Sequence, residues 1–225
     1  MKSLISYFLL LSIKYFSRLF YRFEIGWPEQ RIKWSKIRLL IFLNHTSLFE
    51  FLYLGILPNH FLRKLSKRMV APAANKTLDR PIVGTFFKMF SPGMISITRK
   101  RDDSWENFLE SIYEDSIILI APEGRMKRKN GLDLDGNKMT VKPGVVDIIN
   151  GLHTGEMAIA YSGGLHHVQI PDEGLPKLFK TIKMNIELFD IPSYKAMFNT
   201  DIGSDVWRQS VLKDLQMRLE TKVPV

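Results

Sequence analysis

Cysteine is absent from the 225 residues. That absence excludes disulfide scaffolds, thiolate zinc sites, iron–sulfur ligation and cysteine nucleophiles, and leaves chemistry to His, carboxylates, hydroxyls and cations. Long apolar runs are also missing. The one near the amino terminus, SLISYFLLLSI over 3–13, stops at Lys14, short of the about 20 residues a spanning helix needs, so the chain is not expected to cross a bilayer. No small-x-small cleavage site precedes the first basic residues, which argues against a signal peptide. Internal repeats and low-complexity linkers are lacking too. Acidic residues are the minority, with Lys plus Arg at 32 against Asp plus Glu at 23, a formal charge of +9 and a pI near 9.6. The surface should attract phosphate, nucleic acid or anionic lipid. What remains, 45% hydrophobic and 24% charged, fits one ordinary globular domain or at most two small ones.

Lys14, Arg18 and Arg22 recur every four residues, while Phe16, Leu19, Phe20 and Phe23 fall on the opposite arc. This spacing predicts an amphipathic helix with a cationic face, able to lie among lipid headgroups. Residues 1–23 are therefore expected to form an interfacial membrane helix and 24–225 the remaining domain. The competing reading is a helix packed on the protein's own core.

Short continuous apolar runs at 37–43 (IRLLIFL), 69–71, 94–98, 116–121 and 157–161 read as buried strands. Helical patterns lie between them at 47–57, 81–90, 104–113 and 144–153, and a strand at 181–189 and a helix at 204–219 follow. Strand and helix alternate, which predicts a single layered α/β domain with a mostly parallel sheet flanked by helices.

The first buried strand runs into Asn44-His45-Thr46-Ser47-Leu48-Phe49-Glu50. A His at the carboxyl end of a strand sits where open α/β sheets place ligands. Neutral His45 can accept a hydroxyl proton near pH 7, and Glu50 could fold back to fix its tautomer. Ser47-x-x-Glu50 is equally a capping box, in which Glu50 would serve only the helix start.

Further candidates follow other strands. Glu123, Gly124 and Arg125, in APEGR, combine a carboxylate, a residue permitting close backbone approach and a guanidinium suited to phosphate. Arg99 stands in SITRK, and Gly144 opens a helix whose N–H groups could face an anion. Each also reads as an ordinary turn or a solvated charge run. The long loop 126–142 carries Lys127, Arg128, Lys129 and GLDLDGN. Its calcium-loop spacing fails, since Gly144 stands where a bidentate Glu is required, and no metal site is expected.

Taken together, these segments resemble the glycerolipid acyltransferases typified by lysophosphatidic acid (1-acylglycerol-3-phosphate) acyltransferase. NHTSLFE is similar to the family's Asn-His, four residues, Asp block, with Glu50 in place of Asp. RPIVGTFFKMF resembles the segment after the next strand, SITRK the second block and LIAPEGR the third. VKPGVVDII resembles the Gly-led helix that follows. The resemblance spans 37–165 in order. It departs at the third block, where no Thr separates Gly124 from Arg125, so the family Arg falls on Arg125 or Arg128. It departs again at the fourth, where MAIAYSGG lacks the usual Pro.

The resemblance implies transfer of a fatty acyl group from a thioester, on coenzyme A or acyl carrier protein, to a lysophospholipid hydroxyl. It implies catalytic His45 and Glu50, and an acceptor phosphate on Arg99 with Arg125 or Arg128. Glu123 and Gly124 would complete the substrate loop. No cofactor beyond the acyl-carrying co-substrate is implied, and the expected setting is the cytoplasmic face of a membrane in phospholipid biosynthesis.

Other classes explain less. An acyltransferase for a phosphate-free lysolipid remains open. A serine hydrolase would use Ser162 in AYSGG, but the order Ser, acid, His fails because no His follows His167. A nucleic-acid-binding protein would use Arg63, Lys64, Lys67 and Arg68, yet no recognised module is present, so nucleic acid is not an expected partner. A membrane-bound scaffold that has lost activity is a further alternative, prompted by Glu50 and the shortened EGR block. His166 and His167 read as polar loop residues.

Overall fold

The computed structural model describes residues 2–98, 102–170 and 175–224. In chain order its first elements are α1 (Lys2–Phe20), β1 (Arg22–Gly26), β2 (Ile37–Leu43), a 3-10 helix (Leu48–Ile56), α2 (Asn59–Arg68), β3 (Met69–Ala74), α3 (Asn75–Leu78) and α4 (Pro81–Phe90). There follow β4 (Gly93–Ile97), α5 (Asp103–Glu110), β5 (Ile117–Ile120), α6 (Gly144–Gly151), β6 (Glu156–Ser162), β7 (Thr181–Asp190), α7 (Ile191–Ala196) and α8 (Asp205–Thr221). The expected α/β alternation is present, with mostly parallel strands flanked by helices. The chain divides into two compact units, Met1–Leu19 with Phe51–Ile120, and Phe20–Glu50 with Ala121–Val225.

In the first unit β3 pairs in parallel with both β4 and β5. Its ladder to β5 involves only Met69 and Val70. Pro72, which has no N–H to donate, comes after that ladder has ended. Gly84 of α4 is dictated by contact, since a Cβ there would lie 2.0 Å from the Leu78 carbonyl oxygen.

α1 departs from the predicted amphipathic helix in two ways. It ends at Phe20, and Arg22 and Phe23 belong to β1, where Arg22 and Glu24 point out and Phe23 and Ile25 lie half-buried; alternation of period two prevails over the helical stripe. Its cationic face is also broken. Ser6, Leu10, Ile13, Lys14 and Ser17 form the buried side, and the Lys14 ammonium donates to the Leu57 carbonyl (2.7 Å) and Asn59 Oδ1 (2.5 Å). A lysine there satisfies a carbonyl left open at the end of the 3-10 helix, and burial lowers its pKa. Ser6 Oγ donates to the Phe90 carbonyl (2.7 Å), so α1 rests on the end of α4. Phe16 and Leu19 of the expected apolar arc are exposed, with Leu4, Ile5, Phe8 and Tyr15, and Arg18 is exposed as well. At 19 residues the helix is long and apolar enough to cross a membrane by length and composition, because the helix continues well past Lys14.

In the second unit β1 and β7 are parallel, β7 and β6 antiparallel, and β6 and β2 parallel. β2 turns Ile37, Leu39, Ile41 and Leu43 into the core and leaves the alternate residues half-buried. α8 buries the row Trp207, Val211, Leu215 and Leu219, with Ser204 capping its start by accepting the Trp207 N–H (3.2 Å). A polar network ties this helix to the strands: Tyr161 donates to Glu187 (2.5 Å), Arg218 to Glu187 (2.6 Å) and to Asp214 (2.7 Å), and Tyr194 to Asp214 (2.6 Å). Each buried charge here has an opposite partner, so its desolvation is offset.

Candidate active site

The site lies within the second unit and grows from the end of β2. Asn44 follows the strand with φ of +65°, a left-handed conformation that Asn tolerates better than most residues. Three bonds hold it there. Its N–H donates to Glu123 Oε1 (2.9 Å), its side-chain Nδ2 to the Ser162 carbonyl (2.7 Å), and its Oδ1 accepts from Lys127 Nζ (3.3 Å). The chain then turns sharply, and the next N–H, that of His45, donates to Glu123 Oε2 (3.0 Å).

Glu50 returns over this turn. One carboxylate oxygen, Oε2, binds His45 Nδ1. The other, Oε1, accepts the Thr46 N–H (2.6 Å) and the Ser47 N–H (3.3 Å). The Thr46 hydroxyl lies 3.4 Å from the same oxygen and accepts the Leu165 N–H (2.8 Å), so the 163–166 loop braces Glu50. Capping and pairing with His45 are thus both true of Glu50, one oxygen for each. The helix it opens is 3-10 over nine residues, a length uncommon for that geometry.

His45 is about one-fifth exposed (21%) and Glu50 less so (10%). Burial disfavours the imidazolium, but the charge and hydrogen bond of Glu50, with the charge of Glu123, outweigh it and raise the His45 pKa. Glu50 accepts from Nδ1, so Nε2 carries the lone pair in the neutral ring. The arrangement can take a proton from a hydroxyl and hold the resulting cation.

The remaining sequence candidates divide. Glu123 is 1% exposed, with its two oxygens on the Asn44 and His45 N–H groups, and burial pushes it up to about 7 against the bonds and the His45 charge that lower it. Gly124 has φ of +70° and open space around it, so its conformation rather than a close approach calls for glycine. Arg125 pairs with Asp135 and with Asp133 (3.4 Å). Asp133 in turn accepts the Asp135 and Asn137 N–H groups (2.9 and 2.8 Å), which closes the 133–137 turn. The main chain of Arg128 brackets a second turn, donating to Leu132 O (2.8 Å) and accepting from Gly131 (2.9 Å). Arg99 lies outside the described residues. Ser162 is fully buried at the end of β6, its Oγ accepting the Gly164 N–H (3.0 Å), which is unlike a nucleophile presented on a strand-to-helix elbow.

Three residues bonded into the site, Asn44, Lys127 and His166, are given no site role by the sequence reading. Lys127 donates its N–H to the His45 carbonyl (2.7 Å), and its own carbonyl is bonded by His166 Nε2 (2.7 Å). The Asn-His block and the left-handed preference of an Asn after a buried strand both point to the first; no local signal gives the other two their partners.

A paired His and carboxylate at the end of a strand, in a mostly parallel α/β fold, have the geometry that general acid–base chemistry requires. The acyltransferase family model matches residues 26–161, and the chain belongs to that family. No curated protein matches it significantly. Among solved structures it is similar to the crystal structure of the 1-acyl-sn-glycerophosphate (LPA) acyltransferase PlsC from Thermotoga maritima. The TM-score is 0.56 at 15% identity, over 96% of this chain and 81% of that one. That likeness is one of fold.

Proposed function

We propose that this chain moves a fatty acyl group from an acyl thioester, carried by coenzyme A or acyl carrier protein, to the hydroxyl of a lysophospholipid, lysophosphatidic acid first among acceptors. The observation that carries the reading is the bond of Glu50 to His45, in a chain of the acyltransferase family whose fold is shared by an enzyme named for that acceptor. His45 Nε2 takes the acceptor's hydroxyl proton as the oxygen attacks the thioester carbonyl, and Glu50 offsets the imidazolium charge. The tetrahedral intermediate expels the thiolate, which receives the proton back from His45, leaving an ester and a free thiol. No metal or other cofactor takes part. Arg99 binds the acceptor phosphate and converts binding into positioning. The exposed apolar side chains of α1, Leu4, Phe8 and Leu19 among them, support association with a membrane surface; the face assigned to it here is the cytoplasmic one.

The test is direct. The purified chain given acyl-coenzyme A and lysophosphatidic acid should release free thiol and form phosphatidic acid, and the lack of cysteine leaves a thiol dye without protein background. No ester product from any lysolipid would reject the reading.

A further inference from the structure

The acyl-transfer reading leaves His166 unused, along with the segment that carries it, 162–169 at the end of β6. That segment is firmly anchored. Leu165 and Val168 are buried in the core, and the Leu165 carbonyl accepts the Val168 and Gln169 N–H groups (2.9 and 2.7 Å). Gly164, at φ of +81°, makes the reversal that a side chain would resist.

From this anchor, bonds reach the turn that carries His45. The Ser162 carbonyl accepts from Asn44 Nδ2 (2.7 Å), the Leu165 N–H donates to Thr46 Oγ1 (2.8 Å), and Gln169 Oε1 accepts from Ser47 Oγ (3.1 Å). The His166 bond acts at one remove. His166 Nε2 donates to the Lys127 carbonyl (2.7 Å), and the Lys127 N–H donates to the His45 carbonyl (2.7 Å). The residue before His45, the two residues after it and its own carbonyl are therefore all held, and none of these bonds occupies the imidazole. Thr46 passes the hold on, since its N–H meets Glu50 Oε1 (2.6 Å). Asn44 sits at φ of +65°, a conformation that persists only where its surroundings over-determine it. A carbonyl can only accept, so the His166 bond survives in both charge states of that ring.

We propose that the segment 162–169 is a clasp that positions the Glu50–His45 pair, with Thr46 and His166 as its positioning residues on either side of His45. Its consequence for rate rests on the acyl-transfer reading above; the geometry it imposes does not.

Each variant is measured in two ways: by kcat and KM for acylation of lysophosphatidic acid, and by NMR titration of the His45 ring, which needs no substrate and is assigned by its loss in His45→Ala. His166→Phe and Thr46→Val remove the two pins. Each should lower kcat roughly 10- to 100-fold while KM for the acceptor holds, the range for a reacting group displaced by about an ångström. Against its burial, the His45 pKa is held above the ordinary value by Glu50 and Glu123, and it should fall in both variants as the grip of Glu50 loosens. His166→Gln and Thr46→Ser, which return a donor and a hydroxyl, should recover most of kcat and the wild-type titration. His167→Phe removes the neighbouring ring from the Thr181 carbonyl (2.7 Å) and should match wild type. Lower thermal stability in His166→Phe and Thr46→Val, with kcat and the His45 titration unmoved, would make the segment structural alone and overturn the proposal. A rise in acceptor KM alone would make it a substrate-binding loop and overturn it as well. So would a His166→Gln as slow as His166→Phe, which would give His166 a proton transfer of its own. A wild type without transfer to any lysolipid defeats the acyl-transfer reading, and the titration then decides the clasp by itself.

Discussion

Glu50 divides its carboxylate between His45 and the main chain: Oε2 meets His45 Nδ1, while Oε1 gathers the Thr46 and Ser47 N–H groups. The residue that holds the imidazole is therefore itself held by the turn that carries the imidazole. Such a closed arrangement fixes the ring in advance, as the proposed base role requires.

His45→Ala should lower thiol release by at least roughly 100-fold, the lower range for a positioned acid–base group. Thiol release on acyl-coenzyme A with lysophosphatidic acid measures it, and undiminished turnover would remove His45 from the mechanism.

Glu50→Gln should alter the pH profile as well as the rate. In the proposed mechanism neutral His45 is the active form, so activity should rise as pH climbs through its pKa. Glu50 is a main cause holding that pKa above the ordinary 6.5. Without its charge, burial dominates and favours the neutral ring. The acid limb of kcat/KM should then move to lower pH while the plateau falls. A limb that stays in place would show that Glu50 serves the main chain alone.

Glu123→Gln should cost about 1 to 3 kcal/mol of stability, because an amide can accept from only one of the two buried N–H groups that the carboxylate satisfies. The sign with pH follows from its pKa, raised from the ordinary 4.5 to about 7. Between those values the folded chain retains a proton that the unfolded chain releases. The contribution is fully present below 4.5 and is lost as pH rises through about 7. Urea unfolding between about pH 4 and about pH 8 should show this slope in wild type and a shallower one in the variant. If kcat falls while KM for the acceptor holds, Glu123 positions the His45 turn; a rise in acceptor KM alone would make it a substrate ligand.

Arg99→Ala should reduce kcat/KM for lysophosphatidic acid roughly 10- to 150-fold, since a charge-assisted contact is worth about 1.5 to 3 kcal/mol. Arg99→Lys should regain only part, keeping the charge and losing the fork. Equal acylation of lysophosphatidic acid by wild type and Arg99→Ala, with a phosphate-free lysolipid preferred by both, would exclude the phosphate role.

Phe8→Glu and Leu19→Glu, at positions 59% and 72% exposed, should each weaken co-sedimentation with anionic vesicles by about tenfold or more, the order expected for an inserted Phe or Leu. Thermal unfolding should be unaffected, because neither side chain enters the packed side of α1. Unchanged sedimentation would shift membrane contact to another surface.

Local rules made much of this legible in advance. β2 and α4 occupy the runs 37–43 and 81–90 read from apolar patterning and from Pro81. The pairing of His45 with Glu50 was accessible because the two are five residues apart, within one turn of chain. The capping and catalytic readings competed only because sequence cannot assign two oxygens of one carboxylate separately. What tertiary structure decided was long-range. Lys14 faces inward because a carbonyl and an amide more than forty residues away accept its protons, and that choice took Lys14 out of the expected cationic face while Phe16 and Leu19 stay exposed. Glu123 and Lys127 reach Asn44 across 79 and 83 residues. Neither spacing nor periodicity encodes such contacts, since they exist only once the strands have brought their ends together and water has been excluded from a carboxylate that the sequence could equally have left in a solvated turn.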